Sequence, residues 1–570
     1  MTNTEKGSLL FRPAPLLALL LMLGPILAGL LGVLLPAFGW MPVLGQERLT
    51  LAPFSDLFVT PGLLRSLALS LASGLIATCL AVLLTIGLLA GWSDTRLLRS
   101  MQQLISPLLS IPHAATALGF AFLFAPSGWL VRMISPDLTG WSRPPDWLFP
   151  HDPFGLAMII GLTIKEMPFL LLVSLAALPQ IEAGKMATAA RTLGYGKVAS
   201  WLYAVWPRLY RQIRLPVFAT IAYASSVVDV ALILGPTNPP TLAVQLVRWM
   251  SDPDLSMRLL ASAGALLQLV VTLAALALWW LAERILSHLI AHAIGTGRRF
   301  QKDGVIRWLG ALFNIAAVVI MLSGLAGLAL WSIAGLWCFP DAMPVTLTLQ
   351  NWMRHASMLS EPLLNALLIG LLSTLIGLLV TIACLETECR AHRTPASRSL
   401  SILYWPLIVP QVAFLFGLQL IAISLDVAYS LWSVVLSHLV FVLPYIFLSL
   451  GAPWRALDPR FAGIAASLGH GPWSILFRIR LPMLLRPILT AAAIGFAVSI
   501  GQYLATILMG GGRWETITTE AVSLSAGGNR RLIGLYAMLQ MLLPFLGFLL
   551  AVGVPHILFR NRRDMAPTNR

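Results

Sequence analysis

Along most of the chain, apolar residues run in stretches of about 20 or more, and charged residues collect in the gaps between them. Each stretch is long enough to cross roughly 30 Å of hydrocarbon as a helix. None alternates as a barrel strand does, and in lipid the backbone must find its hydrogen bonds within the segment, so the stretches are read as α-helices. Twelve are expected, at residues 15–38, 63–91, 104–126, 154–178, 214–235 and 257–282, then 306–337, 362–385, 400–424, 428–451, 487–509 and 532–559. The first follows Lys6 and Arg12. Its length exceeds the usual apolar core of a cleavable signal, roughly 7–15 residues, so an uncleaved anchor is expected.

Composition agrees with this pattern. Hydrophobic residues make up 58% of the 570 and charged residues 11%, against about a quarter charged in soluble domains. The net charge of +15 raises the question of nucleic acid, and the distribution of charge answers it. With a cytoplasmic N-terminus, 27 of the 38 Lys and Arg fall in cytoplasmic segments, 10 on the opposite side, and Lys165 within a span. This is the positive-inside asymmetry, and it also places the C-terminus in the cytoplasm. Arg298-Arg299 with Lys302, and Arg560 with Arg562-Arg563, then stand where anionic lipid meets the membrane ends. The bilayer is the expected partner and nucleic acid is not. Cys79, Cys338, Cys384 and Cys389 form neither a CxxC pair nor a zinc spacing. His288 and His292 have i,i+4 spacing, but no third ligand accompanies them, so no metal site is expected.

The chain repeats itself. Leu63-Leu64-Arg65-Ser66-Leu67 through Ser73, Leu75 and Ile76 aligns with Leu363-Leu364-Asn365-Ala366-Leu367 through Ser373, Leu375 and Ile376. Pro112 and Gly119 answer to Pro410 and Gly417, Pro168 to Pro444, and Gly194 with Pro207 to Gly469 with Pro482. The expected organisation is a first half at 1–284, a polar, glycine-containing cytoplasmic linker at 285–305 and a second half at 306–570. Six spans in each half make the halves parallel.

One cytoplasmic connection per half is long, at 179–213 and 452–486, and long connections in compact domains usually have a task. Both read as a helix, a Gly stop, a second amphipathic helix, and Pro at membrane re-entry: Ala189-Ala190, Leu193-Gly194 and Pro207 in the first, Ala465-Ala466, Leu468-Gly469 and Pro482 in the second. Here the sequence resembles the permeases of binding-protein-dependent ABC importers, whose loop signature is Glu-Ala-Ala, a Gly, nine residues, then Ile-x-Leu-Pro. Gly469, Ile479, Leu481 and Pro482 match the downstream part. Gly194 and Pro207 keep its spacing, with Ala204 and Trp206 at the Ile and Leu positions. Thr188 and Gly463 replace the acidic residue, which puts one polar contact of the family loop in doubt.

The resemblance implies an all-α type I importer fold, and a bacterial inner-membrane location. It implies that each loop inserts into one of two copies of a separate ATPase, which binds the ATP and Mg, while a soluble periplasmic or extracellular binding protein docks on the opposite face. Gly501-Gln502-Tyr503-Leu504, Gly510-Gly511-Gly512-Arg513 and the stretch Thr516 to Ala521 are similar to the thiamine and ferric-iron permease type. The chain has no GxxxxGK[ST] phosphate loop: Gly194-Tyr195-Gly196-Lys197 lacks its upstream Gly and its Ser or Thr. The expected role is therefore transport without catalysis.

Ionisable groups inside spans are costly and mark candidate pathways. Lys165, Glu166 and Asp229 qualify, with Gln502 and Tyr503 in the comparable region of the second half. Lys165 and Glu166 are adjacent, cannot face each other on a helix, and so need separate partners. A satisfied interhelical hydrogen bond is the other reading of these groups. Trp129, Trp141 and Trp147 are either a binding-protein surface or interfacial anchors. An ion-coupled transporter of twelve helices stays open as an alternative, as does a membrane-embedded lipid enzyme, although the latter needs clustered carboxylates or histidines that are dispersed here.

Overall fold

The computed structural model describes residues 13–391 and 401–560. Lys6, Arg12, Arg562, Arg563 and residue 400 lie outside the described residues. Among the described residues the regular structure is all helical, and twelve principal helices are labelled in order. They are α1 Ala14–Ala37, α2 Leu63–Trp92, α3 His113–Phe124, α4 Leu156–Ala177, α5 Trp206–Ser226 and α6 Met257–Gly295, then α7 Gly304–Ile333, α8 Gln350–Arg390, α9 Gln411–Ser424, α10 Leu431–Ala456, α11 Leu485–Ile500 and α12 Arg530–Leu558.

Among the described residues, nine helices are long and apolar enough to cross a membrane, and eleven if two bent pairs each count once. The bent pairs break at α9, by 89°, and at α11, by 75°. The helix at the fifth expected span, α5, is not among them and opens with Arg208, Arg211 and Arg214. Outer helices present apolar side chains to their surroundings: Leu16, Leu20, Leu27 and Leu31 of α1 are exposed, while Met22, Ile26 and Val33 are buried. Such a surface is stable in lipid and not in water.

Several spans differ from their expected limits. α6 continues through His288 and His292 to Gly295, leaving only 296–303 non-helical before α7, because the residues after 282 are helix formers until the glycines begin. The third span starts late, since Pro112 ends the preceding stretch and opens α3. The fifth and eleventh are interrupted. α5 stops at Ser226 and a short helix Asp229–Leu234 follows; α11 stops at Ile500 and Leu504–Gly510 follows. Ser225 and Ser226 both turn their hydroxyls onto the Ala222 carbonyl at the first break, which favours an irregular turn over helix continuation.

The opening helix of each sequence half packs across the other half. α1 lies mainly on α9, and α7 mainly on α3 and α2. Glycine makes both crossings possible. A Cβ on Gly417 would sit 1.9 Å from the Gly29 carbonyl oxygen, and one on Gly32 would sit 2.3 Å from that of Gly417. In the other half a Cβ on Gly324 would lie 2.8 Å from the Gly119 carbonyl carbon. Gly29 and Gly32 on one side and Gly324 on the other thus meet the helices that carry the paired landmarks Gly417 and Gly119. Small residues let membrane helices approach until backbones touch and dispersion contacts accumulate. Asn314 adds a hydrogen bond to the Leu84 carbonyl (2.9 Å), and the Trp92 indole one to that of Arg307 (3.0 Å).

Candidate functional site

Two elbows protrude from the bundle. In the first, helix Ala183–Thr192 ends at Leu193, Gly194 takes φ +88°, and Gly196 starts Lys197–Ser200, which passes through a π-helical turn at Trp201–Val205 into α5. In the second, helix Arg460–Ser467 ends at Leu468, Gly469 takes φ +84°, and Gly471 starts Pro472–Ile475, followed by a π-helical turn at Leu476–Arg480. Left-handed φ is the conformation that glycine adopts without strain, which accounts for Gly194 and Gly469. Trp201 and Leu476 occupy the same place in the repeat, as do Pro207 and Pro482, each just inside the helix beyond the turn.

The elbow helices carry almost no buried surface: Ala187 in one and Ala465 in the other. Ala190 is half-buried, and Ala189, Ala466, Leu193, Ile464 and Leu468 are exposed. Leu468 is 74% exposed, next to Ile464 at 60%. These short apolar faces point away from the bundle that carries them.

The elbows are braced differently. Residues of the 296–303 connection sit on the first: Gly196 N donates to the Arg299 carbonyl (3.0 Å), Gln301 Nε2 to that of Gly194 (3.1 Å), and Val198 N to Asp303 Oδ2 (2.7 Å). Beyond it, Arg214 of α5 pairs with Glu283 of α6 (2.8 Å), and Tyr210 donates to the same carboxylate. The second elbow is tied to α8. Buried Glu386 receives Arg480 from the π-helical turn and Arg390 (2.7 Å) from its own helix, and Arg455 pairs with Glu388 (2.9 Å). Sequence reasoning did not single out Glu386 or Glu283; the available signal was a carboxylate at the charged end of an apolar run.

Between the halves lies a polar cluster built on the broken helices. His113, at the start of α3, meets Glu166 of α4 at 2.9 Å, and its ring lies 4.5 Å from that of Tyr223 of α5. Asp229 opens the short helix after the first break, is 8% exposed, and lies within electrostatic reach of His113, Tyr223 and Tyr503. Gln502 and Tyr503 form the second break, and the Gln502 side-chain oxygen is buried without a hydrogen-bond partner. Glu166 and Asp229 are thereby grouped around His113, which sequence reasoning did not single out, and Tyr503 joins them through Asp229. His438 of α10 bonds Ser499 (2.7 Å) and Thr506 (3.0 Å), fixing the second break from behind.

Lys165 is not part of this group. Its ammonium donates to the carbonyls of Leu108 (3.3 Å), Leu109 (3.4 Å) and Ile111, at the C-terminal end of the helix Arg96–Leu108. A cation there gives these carbonyls a charged donor and complements the helix dipole. Lys165→Met removes the ammonium from these carbonyls, of which that of Leu108 also accepts from Ile111 N (3.3 Å), and is expected to cost on the order of 2 kcal/mol. A lowered thermal midpoint of the purified protein in nanodiscs checks it; an unchanged midpoint contradicts the capping role.

Of the other residues singled out, His288 bonds the Arg284 carbonyl on the exposed end of α6 (2.8 Å). Trp129 donates to the Ala342 carbonyl (3.2 Å), while Trp141 and Trp147 stack edge to face at 5.5 Å.

A helical membrane bundle with paired elbows and a polar centre at two broken helices defines a transport protein of the permease class. The inner membrane ABC transporter permease YnjC of Escherichia coli K12 is 31% identical over 540 residues, covering 94% of this chain and 96% of its own. PhnV of Salmonella typhimurium, named for 2-aminoethylphosphonate transport, is 26% identical over 226 residues, or 39% of this chain and 83% of its own. ModB of Mycobacterium tuberculosis, a molybdenum transport system permease, is 30% identical over 182 residues, or 29% of this chain and 68% of its own. No family model matches. The chain belongs to the ABC transporter permeases. It is a multi-pass inner-membrane transport subunit for binding-protein-dependent import, not an enzyme, and its family works with a separate ATPase and a substrate-binding protein. The ion-coupled alternative is not favoured.

Proposed function

We propose that the chain forms a complete translocation unit, twelve spans in two six-helix halves with both termini in the cytoplasm, and that it moves a small solute by alternating access. Each elbow engages one of two copies of an ABC ATPase, where ATP and Mg are held. The observation that carries this reading is the pair of elbows, alike in Gly conformation, π-helical turn and exposed apolar face. Glu283 and Glu386 then carry elbow movement into α6 and α8, because each joins the residues beyond an elbow to a long helix.

The solute passes the centre at Asp229, Glu166, Gln502 and Tyr503, with His113 as a further member. Intramembrane ionisable groups and an unpartnered amide oxygen support a wetted path, because in hydrocarbon they are costly. The partner binding protein selects among thiamine, ferric iron, a polyamine or an anion.

The test is uptake into proteoliposomes containing the permease, its ATPase and the binding protein. Asp229→Asn and Gln502→Ala are each expected to lower uptake about tenfold, the scale of one lost polar contact in a dry site. If both leave uptake and stimulated ATP hydrolysis unchanged, the proposed path is wrong.

A further inference from the structure

At the end of the bundle opposite the elbows, a cavity of about 750 Å³ opens between α3, α7 and the start of α12. Phe122 and Trp331 form apolar walls, and Arg132, His151, Arg530 and Arg531 supply its charge; no Asp or Glu lines it among the described residues.

Two of these guanidinium groups are held against their mutual repulsion. Arg132, 4% exposed, donates through Nε to the Ser127 carbonyl (3.0 Å) and through Nη1 to those of Cys338 (2.6 Å) and Asp341 (3.3 Å). Arg530 donates to the same Ser127 carbonyl (2.6 Å) and to the Ser127 hydroxyl (2.6 Å). Both guanidiniums also lie over the Trp331 ring, at 5.7 and 5.5 Å. These acceptors are all neutral. Among the described residues, neither arginine has a carboxylate within ion-pair distance; Asp341 contributes its backbone oxygen instead. The Asp341 carboxylate acts on Arg132 from beyond ion-pair distance, but no carboxylate lines the cavity among the described residues, and the positive charge gathered there is relieved by a bound anion. Arg531 is half-exposed, and the first turn of the 29-residue helix α12 adds its positive end.

The feature is one-sided. At α6, the repeat's counterpart of α12, the chain preceding the helix carries Asp252 and Asp254, so the charge there is balanced.

We propose that this cavity is an entry site for a small oxyanion, of the phosphate, phosphonate or sulfate kind, through which the translocated solute passes before reaching the central cluster. A guanidinium pairs with two oxygens along one edge of such a tetrahedral ion, and Phe122 and Trp331 give the site an apolar wall. Only the direction of arrival depends on the permease reading; the binding itself does not.

The experiment measures saturable binding of inorganic phosphate, sulfate and methylphosphonate to the full chain in phosphatidylcholine nanodiscs, at constant ionic strength with chloride as background. At least one of the three is expected to bind, with affinity falling tenfold or more in Arg530→Gln and in Arg531→Gln. Arg531→Gln keeps the test sound if loss of Arg530 disturbs folding, since among the described residues the half-exposed Arg531 side chain makes no hydrogen bond or ion pair. The proposal is overturned if none of the three saturates, or if binding persists in both variants. It is also overturned if adding phosphatidylglycerol abolishes phosphate binding, which would make the occupant a lipid headgroup. ATP hydrolysis stimulated by the binding protein, followed in parallel, reports on the permease reading separately.

Discussion

Gly417→Leu is expected to abolish accumulation of folded protein, whereas Gly553→Leu on α12 leaves it intact. At Gly417 the first added carbon already lies 1.9 Å from the Gly29 carbonyl oxygen and 2.6 Å from the Val33 nitrogen, and both obstacles are backbone. A side chain could swing aside; a helix backbone must move as a body. Overpacking a core costs about 1–3 kcal/mol where neighbours adjust, and here α1 has to lift from α9 along its length, forfeiting one of the two crossings between the halves. A Cβ on Gly553 meets nothing within 4 Å, so that variant controls for the added apolar bulk. The readouts are the monodisperse fraction in detergent and the thermal midpoint. A Gly417→Leu protein with normal values of both would show that the two helices do not need this crossing.

That crossing marks the limit of what the sequence discloses. The pairing of Gly119 with Gly417 was legible as a repeat landmark, because glycine is costly inside helices and persists where something needs it. The partners were not, since nothing in a run of leucines says which helix lies opposite; Gly29 and Gly324 acquire meaning only from contact across the halves. The elbows were the easiest part to read. Gly at the stop and Pro at re-entry impose backbone geometry locally, so Gly194, Pro207, Gly469 and Pro482 lie at matching bends.

The centre was read unevenly. The expectation that Lys165 and Glu166 need separate partners follows from helical spacing, and the partners are separate: helix-end carbonyls for one and His113 for the other. Spacing alone did not disclose which partners these are, because a buried cation serves a helix terminus as well as a solute. The breaks at 227–228 and 501–503 escaped an apolar-run reading, which sees composition and not hydrogen bonds. Arg132 and Arg530 escaped for another reason: at the end of a span an arginine is ordinary, and only the fold brings two of them to the Ser127 carbonyl.

The second large effect is expected at the second elbow. Ile464→Asp with Leu468→Asp is expected to leave the thermal midpoint of the permease unchanged, while the ATPase no longer co-purifies and uptake falls at least tenfold. Both side chains are exposed and are followed by Gly469, around whose Cβ position nothing lies within 4 Å, so the bundle loses no packing by their replacement. In the assembled transporter they would enter a groove on the ATPase, where a buried apolar anchor contributes about 2 kcal/mol or more and an unpaired carboxylate adds a desolvation cost of its own. The first elbow supplies a contrast, because Arg299, Gln301 and Asp303 already hold Gly194 to Val198 in place. Stiffness there is built into the chain, so Leu193→Asp tests contact alone, while the second elbow depends on Glu386 for its anchoring. Glu386→Gln is therefore expected to lower uptake with the ATPase still bound, and a variant that instead releases the ATPase would show that Glu386 shapes the docking face and does not transmit its motion.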